Sequence, residues 1–255
     1  MELEGKVALV TGGSRGIGRA IALAVAERGG HVVVNYVRHP EAAEEVVERI
    51  RSMGRRAMAV RADVANSEEV DDMVRATVSE LGGVDILVNN AGYYERGNIF
   101  DITEERWDRM IDVHLKGTFL CTKAVVPHMV ERRYGRIIVI TSVGGVMALT
   151  DLHYCVAKGA QITFTKSLAR SLAPYGITVN AVAPGIIITD LGSDHILTEE
   201  EKARKAERWR EKGTIPLGRA GFPEDVAEAV LFLISHDYIT GEVINVTGGW
   251  ATLQR

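Results

Sequence analysis

Short apolar runs alternate with longer amphipathic stretches from one end of the chain to the other. Val7, Ala8, Leu9 and Val10 form the first run, which is too short for a helix and breaks at Gly12. Residues 16–28 then place Ile17, Ile21, Ala24 and Val25 at helical spacing. The rhythm repeats as strand 32–34, helix 41–53 stopped by Gly54, strand 57–61, helix 67–81 closed by Gly82 and Gly83, and strand 85–88. A helix over 104–132, strand 136–141, helix 154–173, strand 178–181, helix 224–235 and strand 243–246 follow.

Strands that are apolar on both faces and joined by helices predict a parallel sheet covered on each side, a three-layer α/β/α arrangement. Right-handed crossovers make such a sheet doubly wound and put its ligand crevice at the carboxyl ends of the strands. No Pro/Ser-rich linker or repeat interrupts residues 1–255, so one domain is expected. The one irregular insertion, 186–222, carries a charged helical stretch at 199–212 between Gly192 and Gly213. It reads as a mobile lid over the crevice, or else as a solvated connecting helix.

Composition narrows the classes without choosing among enzymes. The 255 residues are 46% hydrophobic and 25% charged, with a net charge of −4 from 30 basic and 34 acidic side chains. A basic excess is the footprint of a general nucleic-acid binder, and it is missing here. Arginines interleave with glutamates, as at Glu131-Arg132-Arg133, in the manner of a solvated face. Cys121 and Cys155 have no metal-ligand spacing, so no metal is expected and the thiols read as reduced. There is neither a charged-then-apolar leader nor an apolar run of bilayer length, which predicts a soluble cytoplasmic protein with no membrane partner.

The first chemical signal is Thr11-Gly-Gly-Ser-Arg-Gly-Ile-Gly18, between the first strand and the first helix. Gly12, Gly16 and Gly18 permit a tight turn and close backbone approach, so a pyrophosphate can rest on the helix N-terminus. Ser14, Arg15 and Ile17 fill the same loop. Further along stand Asn89-Asn90-Ala91-Gly92, Tyr154-x-x-x-Lys158 and Pro184-Gly185.

In this order the four motifs resemble the short-chain dehydrogenase/reductase family, from about Lys6 to Trp250. The resemblance implies a single Rossmann-like domain that moves a hydride between a nicotinamide cofactor and a carbonyl or alcohol carbon. It implies that Asp63 and Val64 meet the adenine, and that Asn90, Ala91 and Gly92 pass along the adenosine ribose. Pro184, Gly185, Ile187 and Thr189 would hold the nicotinamide carboxamide.

Charge favours NADP(H) over NAD(H). Sites that prefer NAD put a carboxylate at the end of the second strand, but here Val34-Asn35-Tyr36 ends without one. Arg15 and Arg38 lie nearby instead and suit a 2′-phosphate.

Reducing a carbonyl requires a proton donor. Tyr154 and Lys158, four apart on a helix, project from one face, and a cation beside a phenol is expected to lower its pKa. Ser142 ends the preceding strand and by resemblance is the catalytic serine, with Thr141 a weaker substitute. His114 occupies a position where the family usually carries asparagine, and a retained proton relay is expected of it, or else simple packing. His153, Tyr93, Tyr94, Met147 and Trp209 are candidates for the pocket wall, whereas His31, His39, His128, His195 and His236 read as surface residues.

The first expected substrate is a 3-oxoacyl thioester, on resemblance in the glycine loop and in Asn180-Ala-Val-Ala-Pro-Gly185. An acyl carrier protein is acidic and would need a basic patch, to which Arg132 and Arg133 could contribute, although Tyr175 stands where a second basic residue is often found. A sugar or other secondary alcohol is the alternative substrate. A non-catalytic NADP(H)-binding sensor is the alternative of another class. The resemblance also implies a homotetramer packed through the helices near 104–132 and 154–173, with Ile162, Phe164, Leu168 and Leu172 as the apolar stripe.

Overall fold

The apolar runs become strands β1 (Val7–Val10), β2 (His31–Tyr36), β3 (Ala57–Arg61), β4 (Ile86–Asn89), β5 (Gly135–Ile140), β6 (Ile177–Pro184) and β7 (Val243–Val246) in a computed structural model that describes residues 3–149, 151–193 and 195–252. They form one seven-stranded sheet in the order β3-β2-β1-β4-β5-β6-β7, with every neighbouring pair parallel. β1, β4 and β5 are buried along their whole length, which explains why they read as continuous apolar runs rather than as alternating ones.

The helices are α1 (Gly16–Glu27), α2 (Pro40–Ser52), α3 (Ser67–Leu81), α4 (Glu104–Ile111), α5 (Gly117–Arg132), α6 (Val143–Met147), α7 (Leu152–Leu172), α8 (Glu199–Glu211) and α9 (Pro223–Ser235). One buried core lies between the sheet and α1, α2 and α9, and a second lies on the other face under α3, α5 and α7. This is the three-layer, doubly wound, single-domain Rossmann-like architecture the periodicity predicts.

Three differences matter for the site. The helix expected over 104–132 is interrupted by a π-helical turn at Asp112–Lys116. Such turns, often found at functional sites, shift the hydrogen-bond ladder to i→i+5 and re-aim the side chains. α6 forms between β5 and α7, where the apolar pattern predicts nothing, because Ser142 caps it by accepting the Gly144 N–H at 3.1 Å. The insertion is tied down at both ends. Ile188 N–H donates to the Gly221 carbonyl and Gly221 N–H to the Ile186 carbonyl, each at 2.9 Å. Ile188, Ile215 and Ala220 make a small core of their own, with Ile186, Ala206 and Trp209 packed against it.

Candidate active site

The strand order reverses between β1 and β4, and the motifs meet there. Thr11 Oγ1 donates to the Val88 carbonyl (3.2 Å) and accepts from Asn90 N–H (2.9 Å) and Ala91 N–H (3.0 Å). Asn90 Nδ2 returns bonds to the carbonyls of Thr11 (2.9 Å) and Gly12 (3.1 Å). The threonine of the glycine loop and the asparagine after β4 are therefore each other's partners. Asn35 is used the same way. Its Oδ1 accepts from Gly12 N–H at 3.1 Å while its Nδ2 donates to Ala62 O at 2.9 Å, which ties the loop to the end of β3. Asn89 Nδ2 reaches Thr122 Oγ1 on α5 at 3.2 Å.

Around this junction opens a cleft of about 770 Å³. Every residue named above as a cofactor contact or a catalytic group lines it, except Asn89 and Gly18. Gly18 is a correction: it packs behind the loop instead of facing the cleft. A Cβ there would collide with the Gly12 carbonyl oxygen and Asn90 Nδ2, so the residue serves close packing of α1 on the turn.

A dinucleotide fits this cleft. Arg15 caps α1 without any side-chain hydrogen bond, so a bound phosphate has the helix N-terminus to itself. Thr189 closes over Gly16, its Oγ1 accepts from Leu191 N–H at 3.2 Å, and its own proton stays free to donate. Lys205 on α8 donates to the Thr189 carbonyl at 2.9 Å. The Asp63 carboxylate is pulled in two directions. Burial would raise its pKa, but Ala65 N–H and Arg109, each at 3.0 Å, hold it below the usual value.

The chemical end of the cleft holds Ser142, Tyr154, Lys158 and His114. Here the expected electrostatics are corrected. Burial pushes the Tyr154 phenol up to about 12, opposed only partly by its hydrogen bond with Ser142. Lys158, also buried, falls to about 7, because its ammonium loses hydration. Its Nζ stands 5.9 Å from the Tyr154 ring centroid and donates to the Ile140 carbonyl at 2.8 Å. Burial thus holds the phenol of the cofactor-free site in its neutral form.

The Lys158 shift has a thermodynamic consequence. The group titrates near 7 when folded and at its ordinary 10.5 when unfolded, so the stability it contributes is present above 10.5 and is lost as pH falls to 7. Lys158 is expected to raise the urea midpoint of the cofactor-free protein as pH climbs from 7, a rise that Cys121 and Tyr154, both pushed up to about 12 by burial, oppose above about 9. Lys158→Met should flatten that slope; an unchanged slope contradicts the assignment.

His114 sits on the π-helical turn and is buried. Its Nε2 lies 2.9 Å from the Tyr93 carbonyl, and its ring meets Tyr154 edge-on at 5.6 Å between centroids. Burial, then the Lys158 charge, pushes it well below 6.5, so the ring is neutral. Nε2 also lies 3.3 Å from the Tyr93 N–H, so it donates to the carbonyl in one tautomer and accepts from the amide in the other, and Nδ1 carries the lone pair in the first and the proton in the second. Gly92 makes room for the ring: a Cβ there would overlap His114 Cε1.

Several assignments move. His153 is fully buried beneath Gly97 and Ile102 and does not line the cleft. Tyr94, Met147 and Trp209 are also off its wall. Tyr94 stands edge-on to Tyr154 at 5.2 Å and donates to Asp151 at 2.7 Å, while Trp209 packs on the insertion's core. Thr141 cannot replace Ser142, since its hydroxyl is spent on the Val182 carbonyl at 3.1 Å. His39, expected on the surface, lines the cleft beside Arg38 in left-handed backbone (φ 64°), which no apolar pattern signals. Arg106 and Arg109 of α4 also line it, although they read only as a charged helix face. Arg132 and Arg133 precede β5, at the amino ends of the strands, opposite the cleft. Arg132 bonds the Gly82 carbonyl and pairs with Asp85 at 3.6 Å, and Arg133 donates to the Pro174 carbonyl at 3.0 Å. Among the described residues, no helix is long and apolar enough to cross a membrane, and no cluster is placed to hold a metal ion.

A phosphate cradle at a switch point, opening onto a serine, a tyrosine and a lysine, defines a dinucleotide-binding oxidoreductase. The family model described as enoyl-(acyl carrier protein) reductase, of the short-chain alcohol dehydrogenase type, matches residues 12–251. A 3-oxoacyl-(acyl-carrier-protein) reductase of Staphylococcus epidermidis is 45% identical over 247 residues, covering 96% of this chain and 98% of its own. The protein of the same description from Synechocystis is 46% identical over 251 residues, covering 97% of each. A solved short-chain type dehydrogenase/reductase from Mycobacterium marinum superposes with a TM-score of 0.86 at 37% identity, covering 98% of this chain and 96% of that one. The chain belongs to the short-chain dehydrogenase/reductase family and is an oxidoreductase acting on CH–OH or C=O groups.

Proposed function

We propose that the chain reduces the 3-oxo group of an acyl thioester with NADPH, using Ser142, Tyr154 and Lys158 at the inner end of the cleft. The carrying observation is that these three side chains and His114 converge on the cleft that begins at the glycine loop. The two relatives named for that reaction support the substrate class.

A bound nicotinamide dinucleotide supplies the hydride. The α1 N-terminus would hold its pyrophosphate, and Arg15 and Arg38 would grip the 2′-phosphate beside a β2 end that lacks a carboxylate. Ser142 Oγ is fixed as acceptor to Gly144 N–H, which leaves its own proton for the substrate oxygen. Tyr154 then donates the phenolic proton to that oxygen as negative charge develops there. A phenol kept neutral by burial holds the proton that reduction requires. The Lys158 ammonium returns a proton to Tyr154, and the His114 ring, edge-on to Tyr154, is the next member of the relay. The segment 186–222 is read as the cover of the cleft, to whose wall it contributes Ile187, Thr189, Asp190 and Leu191, with Lys205 of α8 holding the Thr189 carbonyl within it. Leu172 is buried and Leu168 packs on the second core, so that end of the expected stripe faces inward, and the half-exposed Phe119 on α5 and Val156 on α7 are what support a homotetramer packed on those helices. Carrier docking through Arg132 and Arg133 loses support, because both are committed to backbone carbonyls at the far end of the strands.

A second reading, a sugar or other secondary alcohol, is favoured by the charged groups Glu95, Arg106 and Asp190 on the cleft wall. NADPH consumption with acetoacetyl thioesters, free and carrier-bound, against a panel of ketones and sugars separates the readings. The highest kcat/KM is expected for the thioesters. Preference for polyols supports the second reading. Tight NADPH binding without any turnover would instead mark a sensor.

A further inference from the structure

The π-helical turn that carries His114 has to be held open, and the residue holding it lies outside every motif. Gln161, on α7 and one turn beyond Lys158, is 1% exposed. Its Nε2 donates to the His114 carbonyl at 2.8 Å and to Thr118 Oγ1 at 2.7 Å. Thr118 Oγ1 in turn donates to the same carbonyl at 2.7 Å. The three groups close a ring in which the carbonyl accepts twice, the hydroxyl accepts and donates once each, and the amide uses both protons. That pattern also decides the amide's orientation, since a flipped Oε1 would face an oxygen that can only accept.

From this network we infer that Gln161 is a positioning residue for the proton relay. It fixes the π-helical turn and thereby sets the His114 ring against Tyr154 and Lys158. Two observations separate this from plain packing. Gln161 Oε1 is buried without a hydrogen-bond partner among the described residues, a cost that leucine or methionine would avoid while filling the same space. His114 Nδ1 is likewise buried without a hydrogen-bond partner among the described residues. The His114 ring is gripped from two sides, by the Tyr93 carbonyl at Nε2 and through its own backbone by Gln161. Loss of the second grip lets the turn revert toward regular helix and swings the ring away from Tyr154.

The inference rests on the relay role proposed for His114, and a double-mutant cycle tests the two separately. Gln161→Met keeps the volume and removes both donors. It should lower kcat on the order of tenfold to a hundredfold, as a small misplacement near the chemistry does, and shift the pH profile of kcat while the KM for NADPH stays within about twofold. In a His114→Ala background the same substitution should cost little more, because the ring it positions is gone. Equal losses in both backgrounds, or wild-type kcat for Gln161→Met alone, overturn the inference. His114→Ala at wild-type turnover sinks the relay itself. Should Gln161→Met fail to fold, Thr118→Val removes another donor from the same carbonyl and runs the same cycle.

Discussion

Replacing Tyr154 by phenylalanine is expected to lower kcat for carbonyl reduction by about 10²–10⁴-fold, the usual contribution of a positioned general acid. The substitution removes one oxygen and keeps the ring that packs edge-on against Tyr94 and His114. The dissociation constant for NADPH, read by fluorescence titration, should therefore change little. The loss should fall on kcat, because the proton is given only as charge develops on the substrate oxygen. A Tyr154→Phe enzyme that still turns over at the wild-type rate would remove the phenol from the mechanism altogether. The pH profile should agree. With the phenol pushed up to about 12 and Lys158 down to about 7, a group near neutrality in the kcat/KM profile belongs to Lys158.

Much of the fold is legible because its physics is local. Strands buried on both faces, such as β1 and β4, can hardly be written in anything but apolar residues, and helices that cover them must show a stripe. The glycine loop and the Asn-Asn-Ala-Gly turn are legible for a related reason. Gly18, Thr11 and Asn90 answer close backbone contacts that few residue types satisfy, even though Gly18 proves to be a packing residue rather than a ligand contact.

What stayed hidden depends on contacts far apart in sequence. The π-helical turn leaves no periodic trace, since a single extra residue in a ladder barely disturbs an apolar stripe. Its partner Gln161 lies 47 residues from His114. The pKa shifts of the pair are not legible for the same reason. Four-residue spacing puts Tyr154 and Lys158 on one side of α7, but how deeply each is buried, and that the Ile140 carbonyl takes the ammonium, are properties of the assembled sheet. His39 likewise enters the cleft only because the chain turns left-handed there on its way into α2.

The cofactor reading makes the other large prediction. Arg38→Asp is expected to reduce the preference for NADPH over NADH by at least about 100-fold, measured as the ratio of kcat/KM values. A guanidinium that grips a phosphate makes charge-assisted bonds worth about 1.5–3 kcal/mol each, and about 1.4 kcal/mol is a tenfold change. The aspartate adds repulsion against the 2′-phosphate and offers a free 2′-hydroxyl the acceptor that β2 lacks. Most of the change should therefore appear as weaker NADPH binding, with a smaller gain for NADH. Arg15→Ala should act in the same direction with a lesser effect, since it removes a donor without introducing a negative charge. The effect should also fade as salt rises, because both arginines stand at the open mouth of the cleft, where ions screen them. A ratio that Arg38→Asp leaves unmoved would mean the 2′-phosphate is recognised elsewhere or not at all, and the missing carboxylate at the end of β2 would then carry no information about cofactor choice.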